Sequence, residues 1–256
     1  MTDTVVLTLA HAPEFSLVAE AIVPDRLAAL SEKQIAGLGV MHGGRAARLG
    51  DFFGVKGERS ANVRLEGGRG LAKVEGIGTG MAGGDLLIEG TTGRDLGVAM
   101  AGGRIDVRGG AGDNVGGAAP GAAKGMTGGE IIVRGTVGDD AGARMRRGLL
   151  VIMGDAGRGS GRGMIAGTLV LFQKAGPGAG RFLKRGSIVV FAKVERPATF
   201  RYACTYRPPH VALLLRHLQS RAGVPVPDRY ITGRYERYSG DMAELGRGEI
   251  LQWRGE

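Results

Sequence analysis

The chain repeats itself. Gly84, Gly103, Gly129, Gly148, Gly167 and Gly186 each precede a short apolar run, at intervals of 19, 26, 19, 19 and 19 residues. Two residues after each stands Leu86, Ile105, Ile131, Leu150, Leu169 or Ile188. Four after stands Ile88, Val107, Val133, Ile152, Leu171 or Val190, and three before stands Met81, Met100, Met126, Met145, Met164 or Leu183. One such unit cannot bury its own apolar face, so a repeat of this length predicts stacking of unit on unit. The apolar residues alternate in AGGRIDVRG (101–109) and TGGEIIVRG (127–135), which predicts short strands with one face buried.

After each strand comes a second pattern, G-x-x-G-x-x-x-G: Gly90/Gly93/Gly97, Gly109/Gly112/Gly116, Gly135/Gly138/Gly142 and Gly154/Gly157/Gly161. A fifth copy keeps only Gly176 and Gly180 after Gln173, and Ala192 and Glu195 mark the end of the array. A coil that keeps turning corners needs residues at positive φ. Coils stacked ~4.8 Å apart also bring corner backbones together. These twelve glycines are therefore expected to be structural turn residues. Gly makes up 49 of 256 residues, yet the chain is 43% hydrophobic, too apolar for a flexible linker, and it lacks the every-third-residue glycine of collagen.

The expected fold is mainly β, a right-handed parallel β-helix of 19-residue coils with Ile, Val, Leu and Met laddered inside. The period is a multiple of neither six nor nine, which separates it from hexapeptide and calcium-binding nonapeptide helices. Asp95, Asp113, Asp139, Asp140 and Asp155 lack the calcium-repeat order and read as turn residues bonding to local backbone N–H groups. The 26-residue interval holds seven extra residues within Gly116–Met126 (GGAAPGAAKGM), predicting a loop on one face, where partners often bind.

The flanks differ from the array. Residues 1–56 are expected to form an N-terminal α+β cap, 57–195 the β-helix, and 196–256 a C-terminal extension. TVVLTL (4–9) and EFSLVAEAI (14–22) read as two strands around a turn at His11–Pro13, and PDRLAALSEKQIAGL (24–38) as one helix with Leu27, Leu30 and Ile35 on a stripe. LGDFFGVKG (49–57) and 61–81 read as irregular first coils capping an open end. PPHVALLLRHLQSRAG (208–223) reads as a helix with a proline start and a glycine stop. Residues 196–256 hold ten Arg, six acids and no Lys, which makes the extension the first candidate docking surface.

Net charge is +9, which suits an acidic partner. The basic residues are scattered and only 5% of residues are aromatic, which argues against nucleic acid. No apolar run approaches the ~20 residues of a membrane span, and Met1–Glu20 lacks a signal-peptide pattern, so a cytoplasmic location is expected. Cys204 is the one cysteine, excluding an intrachain disulfide or a cysteine-built cluster, and it has no evident base beside it. His11, His42, His210 and His217 are scattered, without the i, i+4 spacing of a zinc pair. GIGTG (76–80) precedes no helix-forming run and is not a phosphate loop. Asp139/Asp140 and Asp241/Glu244 are candidate acid–base pairs by type alone. The residues point to no catalytic or metal site.

A β-helix of these repeats resembles the C-terminal domain of the glutamate synthase large subunit. It resembles more closely the C subunit of formylmethanofuran dehydrogenase and its counterpart in the formyltransferase/hydrolase complex of methylotrophs. The likeness runs through PDRLAALSEKQIAGL, LGDFFGVKG, IGTGMAGGDLLIEG, GGAAPGAAKGMTGG and YSGDMAELGRGEI. It implies a non-catalytic scaffold subunit of a complex acting in tetrahydromethanopterin-dependent conversion of formaldehyde to formate. The implied partners are a formyltransferase subunit, an amidohydrolase-like subunit and a molybdopterin-enzyme-related subunit. The implied carriers are tetrahydromethanopterin and a methanofuran-type carrier, with no cofactor bound by this chain alone. Surface arginines are then expected to hold the carrier's polyglutamate tail. The alternatives are the C subunit of a true molybdenum or tungsten formylmethanofuran dehydrogenase and a glutamate-synthase-type scaffold. The Ala/Arg/Gly-rich composition favours the methylotroph form. A polysaccharide-acting enzyme would need more aromatics than this chain has.

Overall fold

The computed structural model describes residues 4–255. The protein is mainly β, with one large sheet, one small sheet and a few helices. The strands of the array are β6 (Asn62–Gly68), β8 (Asp85–Gly90), β9 (Arg104–Val107), β10 (Glu130–Val133), β11 (Leu149–Ile152), β12 (Thr168–Leu171) and β13 (Arg185–Val190). They follow β1 (Val5–Leu9), β2 (Leu17–Val18), β3 (Gly39–His42), β4 (Arg45–Arg48) and β5 (Phe53–Lys56), with β7 (Val74–Glu75) lying between β6 and β8. After them come β14 (Arg201–Tyr206), α3 (Pro209–Arg221), α4 (Asp228–Thr232), β15 (Tyr235–Gly240) and β16 (Arg247–Trp253). The large sheet has 12 strands in the order β14-β15-β16-β13-β12-β11-β10-β9-β8-β6-β1-β5.

From β6 to β13 every pairing is parallel, and each strand sits in register on its counterpart one repeat earlier, as in Ile105↔Ile131↔Leu150↔Leu169↔Ile188. The connections stack as well. Parallel bridges join Ala111, Val137, Ala156 and Ala175 in a second column. In the turns, the N–H groups of Gly97, Gly116, Gly142, Gly161 and Gly180 donate to carbonyls of the preceding repeat at 2.7–2.9 Å. Each repeat therefore rests on the one before it along its whole length. The two strand ladders and the Met ladder are buried between these columns, each residue at 0–1% exposure. Burial of each such side chain contributes about 1.5–3 kcal/mol. Every Met methyl packs over the anchor glycine of the next repeat. A Cβ on Gly148 would stand 2.7 Å from Met126 Cε, and Gly148 has φ +97°.

From β9 to β13 the array strands are buried on both faces, not one, whereas Leu87 on β8 is half-buried and Arg64 on β6 exposed. Ile132, Val151, Val170 and Val189, which point away from the inner ladders, are as buried as their neighbours. The covering comes from the C-terminal segment. Val211, Leu215 and Leu218, spaced i, i+4, i+7 on α3, join these residues in a second core with Val224, Val226, Tyr235 and Leu251. The helix 208–223 thus turns its apolar stripe inward against the sheet rather than outward to a partner, and Gly223 (φ +60°) ends it as expected.

Antiparallel strands close both ends of the large sheet. At one end β5 pairs antiparallel with β1, so LGDFFGVKG supplies an edge strand instead of a first coil. At the other, β16 lies parallel on β13 and carries β15 and β14 antiparallel beyond it. Of EFSLVAEAI only Leu17–Val18 is a strand, in the small sheet β4-β3-β2-β7. The single helix expected over 24–38 is two short ones, α1 (Pro24–Leu27) and α2 (Glu32–Ala36). Ser31 interrupts them because it caps α2, exchanging hydrogen bonds with Gln34 in a capping box.

Candidate functional site

The twelve turn glycines have two different reasons to lack a side chain. Gly97, Gly116, Gly142 and Gly161 have φ of 62–71°, as a corner requires. The other eight do not; they are columns of close approach. Gly90, Gly109, Gly135 and Gly154 lie on one another, and a Cβ on Gly154 would come 2.5 Å from the Gly135 carbonyl carbon. Gly93, Gly112, Gly138 and Gly157 form the parallel column, where a Cβ on Gly157 would come 2.6 Å from the Gly138 carbonyl carbon. Part of the positive-φ work falls instead to Asp95, Asn114 and Asp140, at φ 59–63°, stacked with Gly159 and Gly178.

The turn aspartates act between coils, not locally. Asp113 Oδ1 accepts from the N–H of Asp139, Asp139 Oδ1 from that of Arg158, and Asp155 Oδ1 from that of Lys174, at 2.7–3.1 Å. Asp140 is held by both Nε and Nη2 of Arg162, at 2.9 and 2.7 Å. The Asp139/Asp140 pair is thus committed to structure.

Asp241 is buried, and its carboxylate accepts from the N–H groups of Phe182 and Ala243, each at 2.9 Å. Burial alone would push this carboxyl up; the Thr199 hydroxyl, those two N–H groups and the nearby Arg181 together hold it below the ordinary carboxylate range. A depressed carboxyl is a poor general acid near neutral pH. Its contribution to stability is present above the ordinary carboxylate range and fades as pH falls through the lowered value. Glu244 faces Lys184 at 3.9 Å.

The histidines form two groups, His11 and His42 beside Phe52 and His210 and His217 on α3. His42 contacts Phe52 and the Phe15 N–H, and His11 lies 6.4 Å from the Phe52 ring. His217 pairs with Glu130 at 3.1 Å and His210 with Glu249 at 3.9 Å, tying α3 to the sheet. Cys204 is exposed on β14. Gly76, Gly78 and Gly80 of GIGTG all have positive φ and form the first turn of the array. Among the described residues no three His, Cys, Asp or Glu stand where they could hold a metal ion, and no helix is long and apolar enough to cross a membrane.

Two charged constructions stand beside the array, neither evident in the sequence pattern. The first is a clasp on α3. Asp106, 7% exposed, takes Nε and Nη2 of Arg134 at 3.0 and 2.9 Å and lies 3.5 Å from Arg104 Nη2. The two guanidiniums donate onward to the carbonyls of Arg221, Ala222 and Gly223 at 3.0–3.4 Å, where the helix ends and cations are favoured. The second is a basic corner beside the seven-residue insertion, 118–124. Arg144 donates to the Ala122 carbonyl at 2.8 Å. Adjoining cavities of about 270 and 360 Å³ share Arg162 and bring in Arg158, Arg181 and Lys184, with Asp139, Asp140 and Glu244 as the carboxylates among them.

No family model matches the chain. A segment of it is 34% identical over 89 residues to the C subunit of the tungsten-containing formylmethanofuran dehydrogenase 2 of Methanothermobacter thermautotrophicus, and 32% identical over 89 residues to that of Methanothermobacter marburgensis. These matches cover 34% of the chain and span only about a third (33%) of the length of those curated relatives. The formyltransferase/hydrolase complex (FhcABCD) from Methylorubrum extorquens, solved with methylofuran, contains a chain 30% identical, covering 96% of this chain and 98% of its own, with a TM-score of 0.76. The chain belongs to the family formed by formylmethanofuran dehydrogenase C subunits and their counterparts in formyltransferase/hydrolase complexes. The resemblance drawn from the repeats, insertion and tail of this C subunit is borne out. At 96% coverage the likeness extends beyond the repeats into both flanks.

Proposed function

We propose that this C subunit is a non-catalytic scaffold in a multi-subunit formyltransferase/hydrolase complex of tetrahydromethanopterin-dependent one-carbon metabolism, in the cytoplasm. The observation that carries this reading is the match of 96% of the chain to a chain of the methylofuran-bound complex. The engagement of Asp139, Asp140 and Asp241 in structural hydrogen bonds supports it. In this reading the stacked repeats of 57–195 close as a right-handed parallel β-helix, 1–56 caps one end, and 196–256 returns to clasp its side. The twelve glycines serve that geometry. The tube presents a rigid flank to a formyltransferase subunit, an amidohydrolase-like subunit and a molybdopterin-enzyme-related subunit. The basic corner at Arg144, Arg158, Arg162 and Arg181, beside the insertion, is where the acidic tail of a methanofuran-type carrier would lie.

The identity to tungsten-containing enzymes favours one second reading, the C subunit of a metal-dependent formylmethanofuran dehydrogenase. Purification of the tagged chain from its host tests both. Co-recovery of formyltransferase and amidohydrolase-like subunits without tungsten or molybdenum is expected. Metal in the particle would favour the second reading, and recovery of a lone monomer would contradict both.

A further inference from the structure

Three strands end side by side at the C-terminal limit of the large sheet. Their register aligns Tyr206, Tyr235 and Trp253. The residues one step beyond that row are Arg207, Arg234 and Arg254, and the Arg254 N–H donates to the Arg234 carbonyl at 3.0 Å. A fourth arginine, Arg229, comes from α4, its guanidinium 5.2 Å from the Tyr230 ring and 5.9 Å from that of Trp253. In each case the aromatic neighbour packs into or against the second core, and the four arginines line one cavity at this end of the sheet. Tyr235 locks the arrangement by donating to the Tyr230 carbonyl at 2.6 Å.

Arg207, Arg229, Arg234 and Arg254 line a cavity of about 460 Å³ together with Trp253, and among the described residues no carboxylate lines it. Gly233 leaves the space beside Trp253 open, since a Cβ there would stand 2.6 Å from Trp253 Nε1. Among the described residues Arg207 and Arg229 make no ion pair, and Arg254 has only Glu236, at 4.0 Å. Four like charges gathered around a concave surface repel one another, and the low-dielectric walls focus their field on an anion. Planar guanidinium forks match carboxylate and phosphate oxygens two at a time.

We propose that this basin is a binding site for a multiply charged oxyanion, a ligand carrying clustered carboxylate or phosphate groups. Those groups come either from a free small molecule or from an acidic residue cluster of a neighbouring subunit. Trp253 is the chain's one tryptophan, so its fluorescence reports occupancy directly. Titration of the full-length chain with citrate and with pyrophosphate, at constant ionic strength, is expected to give a saturable change that acetate does not. In Arg207→Ala/Arg254→Ala the apparent Kd should rise tenfold or more with an unchanged circular dichroism spectrum, and the corresponding Lys pair should fall between. Calorimetry on the assembled complex separates the sources: retained binding assigns the site to a free ligand, and binding lost on assembly assigns it to a partner's acidic groups. No saturable binding by the chain, or affinity indifferent to both pairs of substitutions, overturns the proposal.

Discussion

Gly154→Ala is expected to destabilise the protein by about 3 kcal/mol, lowering its melting temperature by roughly 6–12 °C. The added methyl would stand 2.5–2.6 Å from the Gly135 carbonyl and the Thr136 nitrogen. These are backbone atoms of the neighbouring coil, so no rotamer change relieves the overlap and the coils must part. Gly163→Ala is the matched comparison. Gly163 has φ +63°, but its Cβ would meet nothing nearer than Arg144 Cγ at 3.6 Å. Its counterparts in other coils, Ala99, Arg144 and Phe182, already hold side chains at φ 55–64°. The cost there should be within about 1 kcal/mol, the left-handed penalty being partly offset by a less flexible unfolded chain. Thermal unfolding of the two variants measures the difference. Equal losses would mean that the close approach of Gly154 to its neighbour carries no cost of its own.

Asp106→Ala is expected to cost about 2–3 kcal/mol and to loosen α3 before the rest of the molecule. Breaking a buried ion pair costs about 3–5 kcal/mol because the surviving charge is left uncompensated. The cost here is smaller because the Arg104 and Arg134 side chains keep 32% and 15% of their exposure. With Asp106 gone, Arg134 loses the carboxylate that holds it, and Arg104 is left with Glu130 at 3.7 Å. Hydrogen exchange should show faster exchange at the last turn of α3, near Leu218, while the inner ladder at Leu150 stays protected. The double change Asp106→Leu/Arg134→Met extends the apolar column of Ile132, Val151 and Val170 and should recover most of the loss. A uniform rise in exchange across all repeats in Asp106→Ala would show that the clasp is not local.

The inner ladders and the stacking were legible in the sequence because each ladder residue recurs at a fixed offset from its glycine, and stacking in register demands such offsets. The outer burial left a signal of another kind. Ile131–Val133, Leu150–Ile152, Leu169–Leu171 and Ile188–Val190 are unbroken apolar triplets, the mark of parallel strands covered on both faces. Reading them as alternation missed this, and Asp106 is the position where the outer column turns polar as the covering helix ends. The stripe Leu27, Leu30 and Ile35 is buried or half-buried as expected, yet Ser31 prefers a capping role to a place inside one helix. The turn aspartates could not be assigned from local spacing because their partners lie one coil away, 19 or 26 residues along. The arginine basin depends on strand register. Tyr206-Arg207, Arg229-Tyr230, Arg234-Tyr235 and Trp253-Arg254 meet only once β14, β15 and β16 are paired and α4 is packed beside them.

The claim that this protein holds a complex together without performing its chemistry is tested most directly by comparing the intact particle with the chain alone. Formyl transfer and formyl hydrolysis should be measured on the particle recovered through the tagged chain, and on the purified full-length chain at equal concentration. The particle is expected to carry both activities and the chain neither. Turnover of either reaction by the chain alone, above that of a buffer blank, would contradict the account.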